Sequence, residues 1–227
     1  LTYLAWIGGL GIIVVLCLSA VQKKQVQRVG ALDIRVHSLS AGEELLNTGD
    51  VSKLLKEELG YPLLNLPLEE LELARLEELT QSHPYIRMAD VYLDARQVLH
   101  IEVSQKSPVL RVIPGSGISY YLDSEGEPIP LSDAFTVRVP VATGTLPGMD
   151  TTQWTEQDEE RMQRIFRINE RLRSDDYYSA WIDQMIANPD GTYSMYSSMT
   201  DQYIDLGRAE RLEEQLENVK IFCENVV

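Results

Sequence analysis

The chain opens on an apolar run. From Leu1 to Gln22 there is no charged residue, and Tyr3 to Val21 is almost entirely Leu, Ile, Val, Ala, Gly and aromatic. A helix needs about 20 apolar residues to cross the hydrocarbon of a bilayer, so the run predicts a retained membrane anchor over residues 1–22. Tyr3 and Trp6 lie near one end, where amphipathic rings favour the interface. A cleaved leader would have an apolar stretch of only about 7–15 residues and a small residue where Leu18 stands. Residues 23–30 read as a linker. They carry Lys23, Lys24 and Arg28, and charge alone would put the chain beyond them on the cytoplasmic side.

Residues 31–106 read as a compact βααββ unit. Asp33 to Val36 alternates as a first strand. Asp50 is placed to cap a helix whose Val51, Leu54, Leu55 and Leu59 recur at helical spacing, with Gly60 as the stop. A second helix is expected from Pro67, with Glu69, Glu70 and Glu72 at its start and Leu68, Leu71, Leu76 and Leu79 on one face. His83-Pro84 ends it. Ala89, Val91 and Leu93, then Leu99, Ile101 and Val103, form two period-two sets joined by the turn Asp94–Gln97. His100 falls on the polar side and reads as a solvated side chain.

Residues 107–227 read as a mixed β domain with flanking helices. Strands are expected over Val109–Ile113, Ile118–Leu122 and Val137–Val141, punctuated by Gly115, Gly117, Gly126, Pro128 and Pro130. Gly144 to Thr152 is rich in turn residues. Thr155 caps a helix with Met162, Ile165, Phe166 and Leu172 inward, while its five arginines interleave with acids as surface ion pairs. Trp181–Ala187 and Thr192–Tyr196 flank the turn Asn188-Pro189-Asp190-Gly191. Gln202–Leu206 is a further strand, and Arg208 to Cys223 an amphipathic helix. The whole is therefore of α+β class.

Charge narrows the function. The chain has 20 Lys and Arg against 35 Asp and Glu, a net charge of −15, which disfavours nucleic acid. Cys17 and Cys223 stand near opposite ends and suggest no disulfide, and His37, His83 and His100 show no metal-ligand spacing. GxSxG, HExxH and CxxC do not occur, and Gly115-Ser116-Gly117 lacks the third glycine and the helix of a phosphate cradle. The reading is a non-enzyme with no metal, cofactor or small-molecule substrate.

Several motifs carry a resemblance. Ser82-His83-Pro84-Tyr85-Ile86-Arg87-Met88-Ala89-Asp90-Val91 is similar to the close of the POTRA domain in the FtsQ/DivIB family of bitopic bacterial cell-division proteins. Gln105-Lys106-Ser107-Pro108-Val109-Leu110-Arg111 resembles that family's Gln-Arg-x-Pro-x-x-Arg, with Lys for one Arg. Tyr121-Leu122-Asp123-Ser124-Glu125-Gly126 resembles its aromatic-x-Asp-x-x-Gly. Ser197-Ser198-Met199-Thr200-Asp201 departs from the family, where an Arg and a Gly are expected. Pro84, Gln105, Pro108, Arg111, Tyr121, Asp123 and Gly126 are thus the candidate motif and interaction positions, each with a plain reading as a shaper of the fold.

The resemblance implies a divisome scaffold. It would sit in the bacterial inner membrane as a single-pass protein, with its bulk in the periplasm, and concentrate at the division site. Its partners would be FtsB-like and FtsL-like bitopic proteins, and through them septal peptidoglycan synthesis. It also implies a final strand beyond Val227, without which Leu216, Val219 and Phe222 would be exposed. The alternatives are a POTRA-bearing chaperone-like factor handling outer-membrane or secreted polypeptides, and an anchored wall hydrolase.

Overall fold

A computed structural model describes residues 27–37, 45–132 and 136–226. The expected anchor over residues 1–22 lies outside them. Among the described residues no helix is long and apolar enough to cross a membrane. The chain divides into two compact units, with Gln105 ending the first and Lys106 in the second.

In the first unit β1 (Ala31–His37) is followed by α1 (Thr48–Leu59), a 3-10 turn (Leu68–Glu70), α2 (Leu73–Gln81), β2 (Ile86–Leu93) and β3 (Val98–Gln105). This is the βααββ order expected. The sheet runs β1-β3-β2, with β1 parallel and β2 antiparallel to β3. Leu99, Ile101 and Val103 of β3 are fully buried against Val51, Leu55 and Leu76 of the helices. Such side chains contribute about 1.5–3 kcal/mol each, so strict alternation on β3 pins its register.

Two local expectations are corrected here. The cap of α1 is Asn47, not Asp50. Asn47 Oδ1 accepts the Gly49 and Asp50 N–H groups, and Asp50 Oδ2 accepts the Asn47 N–H, a reciprocal box that starts the helix one turn earlier. The second helix does not begin at Pro67. Leu71 takes an extended conformation after the 3-10 turn, and α2 starts only at Leu73. Gly60, at φ 71, stops α1 as expected.

The second unit contains β4 (Pro108–Pro114), β5 (Tyr120–Asp123), β6 (Pro128–Pro130), β7 (Val141–Gly144), α3 (Glu156–Arg173), α4 (Asp176–Trp181), β8 (Gln184–Ala187), β9 (Tyr193–Ser197), β10 (Gln202–Gly207) and α5 (Leu212–Val226). The strands form one sheet in the order β10-β9-β8-β7-β4-β5-β6. Only β4–β7 and β7–β8 are parallel. A parallel pair needs a crossover, which α3 and α4 supply between β7 and β8. Val112, Ala142, Met185 and Met195 stand in register across the sheet and bury against Ile165 and Ile168 of α3 and Leu212 and Leu216 of α5.

Thr155 caps α3 as expected, in a reciprocal box with Asp158. Other expectations shift. Ile118 is 82% exposed and precedes β5 rather than opening it. Residues 137–140 are not a strand. There the Val137 N–H donates to the Tyr121 hydroxyl, and the Pro140 carbonyl accepts the Arg111 N–H. Trp181 ends a helix, and its strand begins only at Gln184. Leu216 is fully buried, against the expectation that it would be exposed, whereas Phe222 is exposed.

Candidate interaction surface

The motif positions act mainly within their own units. Pro84 is exposed in the turn between α2 and β2, which the Ile86 N–H closes onto the His83 carbonyl. The neighbouring His83 imidazole takes the Tyr85 N–H, and burial lowers its pKa. Gln105 is 4% exposed. Its Oε1 accepts the Leu46 N–H at 2.7 Å and its Nε2 donates to the His37 carbonyl at 3.1 Å. One amide thus holds the chain leaving β1 and the chain approaching α1.

Pro108, Arg111, Tyr121, Asp123 and Gly126 come together on β4, β5 and the turn that follows. Pro108 opposes Asp123, and Arg111 opposes Tyr121. Asp123 is 1% exposed, and its Oδ1 accepts the N–H groups of both Glu125 and Glu127 at 2.9 Å. Its other oxygen lies 3.7 Å from Lys106 Nζ. The carboxylate therefore ties the β5–β6 turn, and Gly126 completes it at φ 84, a conformation costly for any side chain. Arg111 Nε is buried with no hydrogen-bond partner among the described residues.

His100 is not a solvated side chain. Its ring stacks on Tyr92 at 4.8 Å, with Nδ1 3.1 Å from Asp33 Oδ2 and Nε2 3.5 Å from Asp94 Oδ2. Period two places it on the outer face, but its cross-strand neighbours Asp33 and Tyr92 then enclose it. Asp94 is held at about 2, chiefly by the Val98 N–H and further by Arg96 and His100. The arginines of α3 do make surface ion pairs, among them Arg164 with Glu160 and Arg171 with Glu213. Among the described residues no group of three or more His, Cys, Asp or Glu is placed to hold a metal.

The feature with reach toward a partner lies at the sheet's edges, which differ. At one end β6 reads Pro128-Ile129-Pro130, and proline has no N–H to offer. At the other end β10 has no proline, and among the described residues no strand covers it. Asn188 N–H donates to the Thr192 carbonyl, which sets the alternation through β8 and β9 and turns the N–H and C=O of Tyr203 and Asp205 away from β9. Beside this edge runs an open groove of ≈ 570 Å³ lined by Trp181, Tyr203, Ile204, Val219 and Phe222. Tyr203 is 70% and Phe222 61% exposed, although both are large and apolar. Sequence pattern places β10 as a strand but carries no mark of its edge position.

Two family descriptions match the chain. Residues 31–104 match a POTRA-like domain, which covers the βααββ unit. Residues 107–227 match FtsQ/DivIB, C-terminal related, which covers the seven-stranded unit. No curated protein matches the chain. The second match takes in more than half of the residues, and with the POTRA-like unit ahead of it the chain belongs to the FtsQ/DivIB family of cell-division proteins.

Proposed function

We propose that this protein is a non-enzymatic scaffold of the bacterial division machinery, recruiting partners through the open β10 edge. It is held in the inner membrane by residues 1–22, with both folded units on the periplasmic side. The partners are short bitopic proteins of the FtsB and FtsL kind, which link it to septal peptidoglycan synthesis. Family membership supports the division role. The observation that carries the mechanism is the asymmetry of the seven-stranded sheet among the described residues, with a proline-blocked β6 and a β10 that no described strand covers, beside exposed Tyr203 and Phe222. An exposed edge is a ready template for strand addition, and natural proteins cover or blunt one that has no use.

Two experiments test this. A fluorescent fusion to the gene product should band at the division site before constriction; a uniform envelope signal throughout the cycle would count against the role. Tyr203→Pro removes one outward N–H while leaving the pairing of β10 with β9 in place, and Tyr203→Ala removes only the side chain. Binding of the FtsB-like partner should be abolished by the proline and only weakened by the alanine. Full binding by a folded Tyr203→Pro protein would eliminate strand addition at this edge.

A further inference from the structure

The loop between α1 and α2 breaks the usual polarity of loops. Residues 61–68 read Tyr-Pro-Leu-Leu-Asn-Leu-Pro-Leu, with Asn65 the one polar member. Leu63 is buried and anchors the loop, while Tyr61 is 43% and Leu64 48% exposed, with Pro62 exposed between them. Connecting segments normally present polar side chains to water, so an exposed apolar loop tip calls for a second solvent or a partner.

Its position in the unit is informative. The chain arriving from the linker is tied to this loop, with Val29 N–H on the Leu66 carbonyl at 3.0 Å and Asn65 N–H on the Val29 carbonyl at 2.9 Å. Leu68 N–H donates to the Gln27 carbonyl, and Arg28 Nη1 to the Asn65 carbonyl at 2.7 Å. The β2–β3 turn lies at the same end, since Gly30 N–H donates to the Gln97 carbonyl, and it carries Arg96 with its side chain 85% exposed. One pole of the unit thus combines an apolar loop tip with two guanidinium groups, Arg28 and Arg96. It is also the pole at which the chain enters.

The apolar run of the sequence ends at Gln22, five residues before Gln27. Five residues span at most about 18 Å even when fully extended. We propose that this pole is a lipid contact: Tyr61, Pro62 and Leu64 enter the headgroup region of the bilayer that holds the anchor. The inference rests on the anchoring read above. Tyr suits this layer because its ring is apolar and its hydroxyl stays wet. Arg96 is already paired with Asp94 at 3.3 Å, and Glu69 and Glu70 follow the loop, so the contact is driven by apolar burial and needs no anionic lipid.

The test uses the full chain in phosphatidylcholine vesicles, with Cys17→Ala and Cys223→Ser to clear native thiols. A polarity-sensitive fluorophore is placed on Leu64→Cys, on Tyr61→Cys as a second loop position, or on Gln81→Cys at the exposed end of α2. The expected result is protein that floats with vesicles, with emission from 61 and 64 blue-shifted and quenched by shallow nitroxide lipid, and emission from 81 unchanged. Floating protein whose loop labels stay in water overturns the lipid contact and leaves anchoring intact. Equal quenching at 81 overturns it too, since no pole is then selected. Protein that does not float removes anchoring, and the contact with it.

Discussion

Replacing Gln105 by leucine separates a fold-shaping role from a partner-binding one. Leucine keeps most of the volume at this 4% exposed site but cannot hydrogen-bond. It orphans the Leu46 N–H and the His37 carbonyl together. A buried unsatisfied group costs about 1–3 kcal/mol. Leu46 is buried and should bear the upper part of that range, while His37 is exposed and should bear the lower part. The sum is about 2–4 kcal/mol for the first unit. At about 1.4 kcal/mol per tenfold, amide exchange along β3 should accelerate roughly 30- to 700-fold. Hydrogen exchange is the suitable assay, because of the three tryptophans Trp154 and Trp181 lie in the second unit and Trp6 in the apolar N-terminal run, so none lies in the βααββ elements that Gln105 holds. Gln105→Glu should cost more, since it puts a carboxylate oxygen against the His37 carbonyl. If Gln105→Leu leaves β3 protection at the wild-type level while partner binding falls, the reasoning is wrong and Gln105 is a contact residue.

Other outcomes follow from single features. Gly144 ends β7 at φ 101 with the Ala187 carbonyl against the position a Cβ would take, so Gly144→Ala should cost more than about 4 kcal/mol and yield a second unit without a cooperative urea transition. Tyr178→Phe removes a buried hydroxyl that donates to the Leu216 carbonyl and should lower second-unit stability by about 1–2 kcal/mol, read by the Trp154 and Trp181 emission midpoint. Asp94 titrates at about 2 in the folded chain against 3.8 for a free carboxyl, so its support of the β2–β3 turn is complete above about pH 4 and fades as pH falls toward 2. Asp94→Asn should flatten that part of the acid dependence, seen in the exchange of the Arg96 and Val98 amides; an unaltered acid profile would refute the assignment.

Much of the fold is legible in the sequence where the determining forces are local. The Thr155 cap, the Gly60 stop, the Asn188–Gly191 turn and the strict alternation of β3 each depend on residues a few positions apart. The motif positions were legible too, but not their work. The amide of Gln105 reaches back 59 residues to Leu46, and no spacing rule shows that. The same distance explains the errors. Val137–Val141 is apolar enough for a strand, yet which stretch pairs is chosen by β4 and β8, and they select Val141–Gly144. His100 alternates outward, but Asp33, 67 residues away, closes over it. The sequence by itself determined the α+β class, the order of elements in the first unit and the family resemblance, because caps, turns and hydrophobic period are short-range effects. Only the tertiary structure decided that β6 and β10 are the edges of the sheet among the described residues, that proline guards one and no described strand covers the other, because a strand becomes an edge through what fails to pair with it.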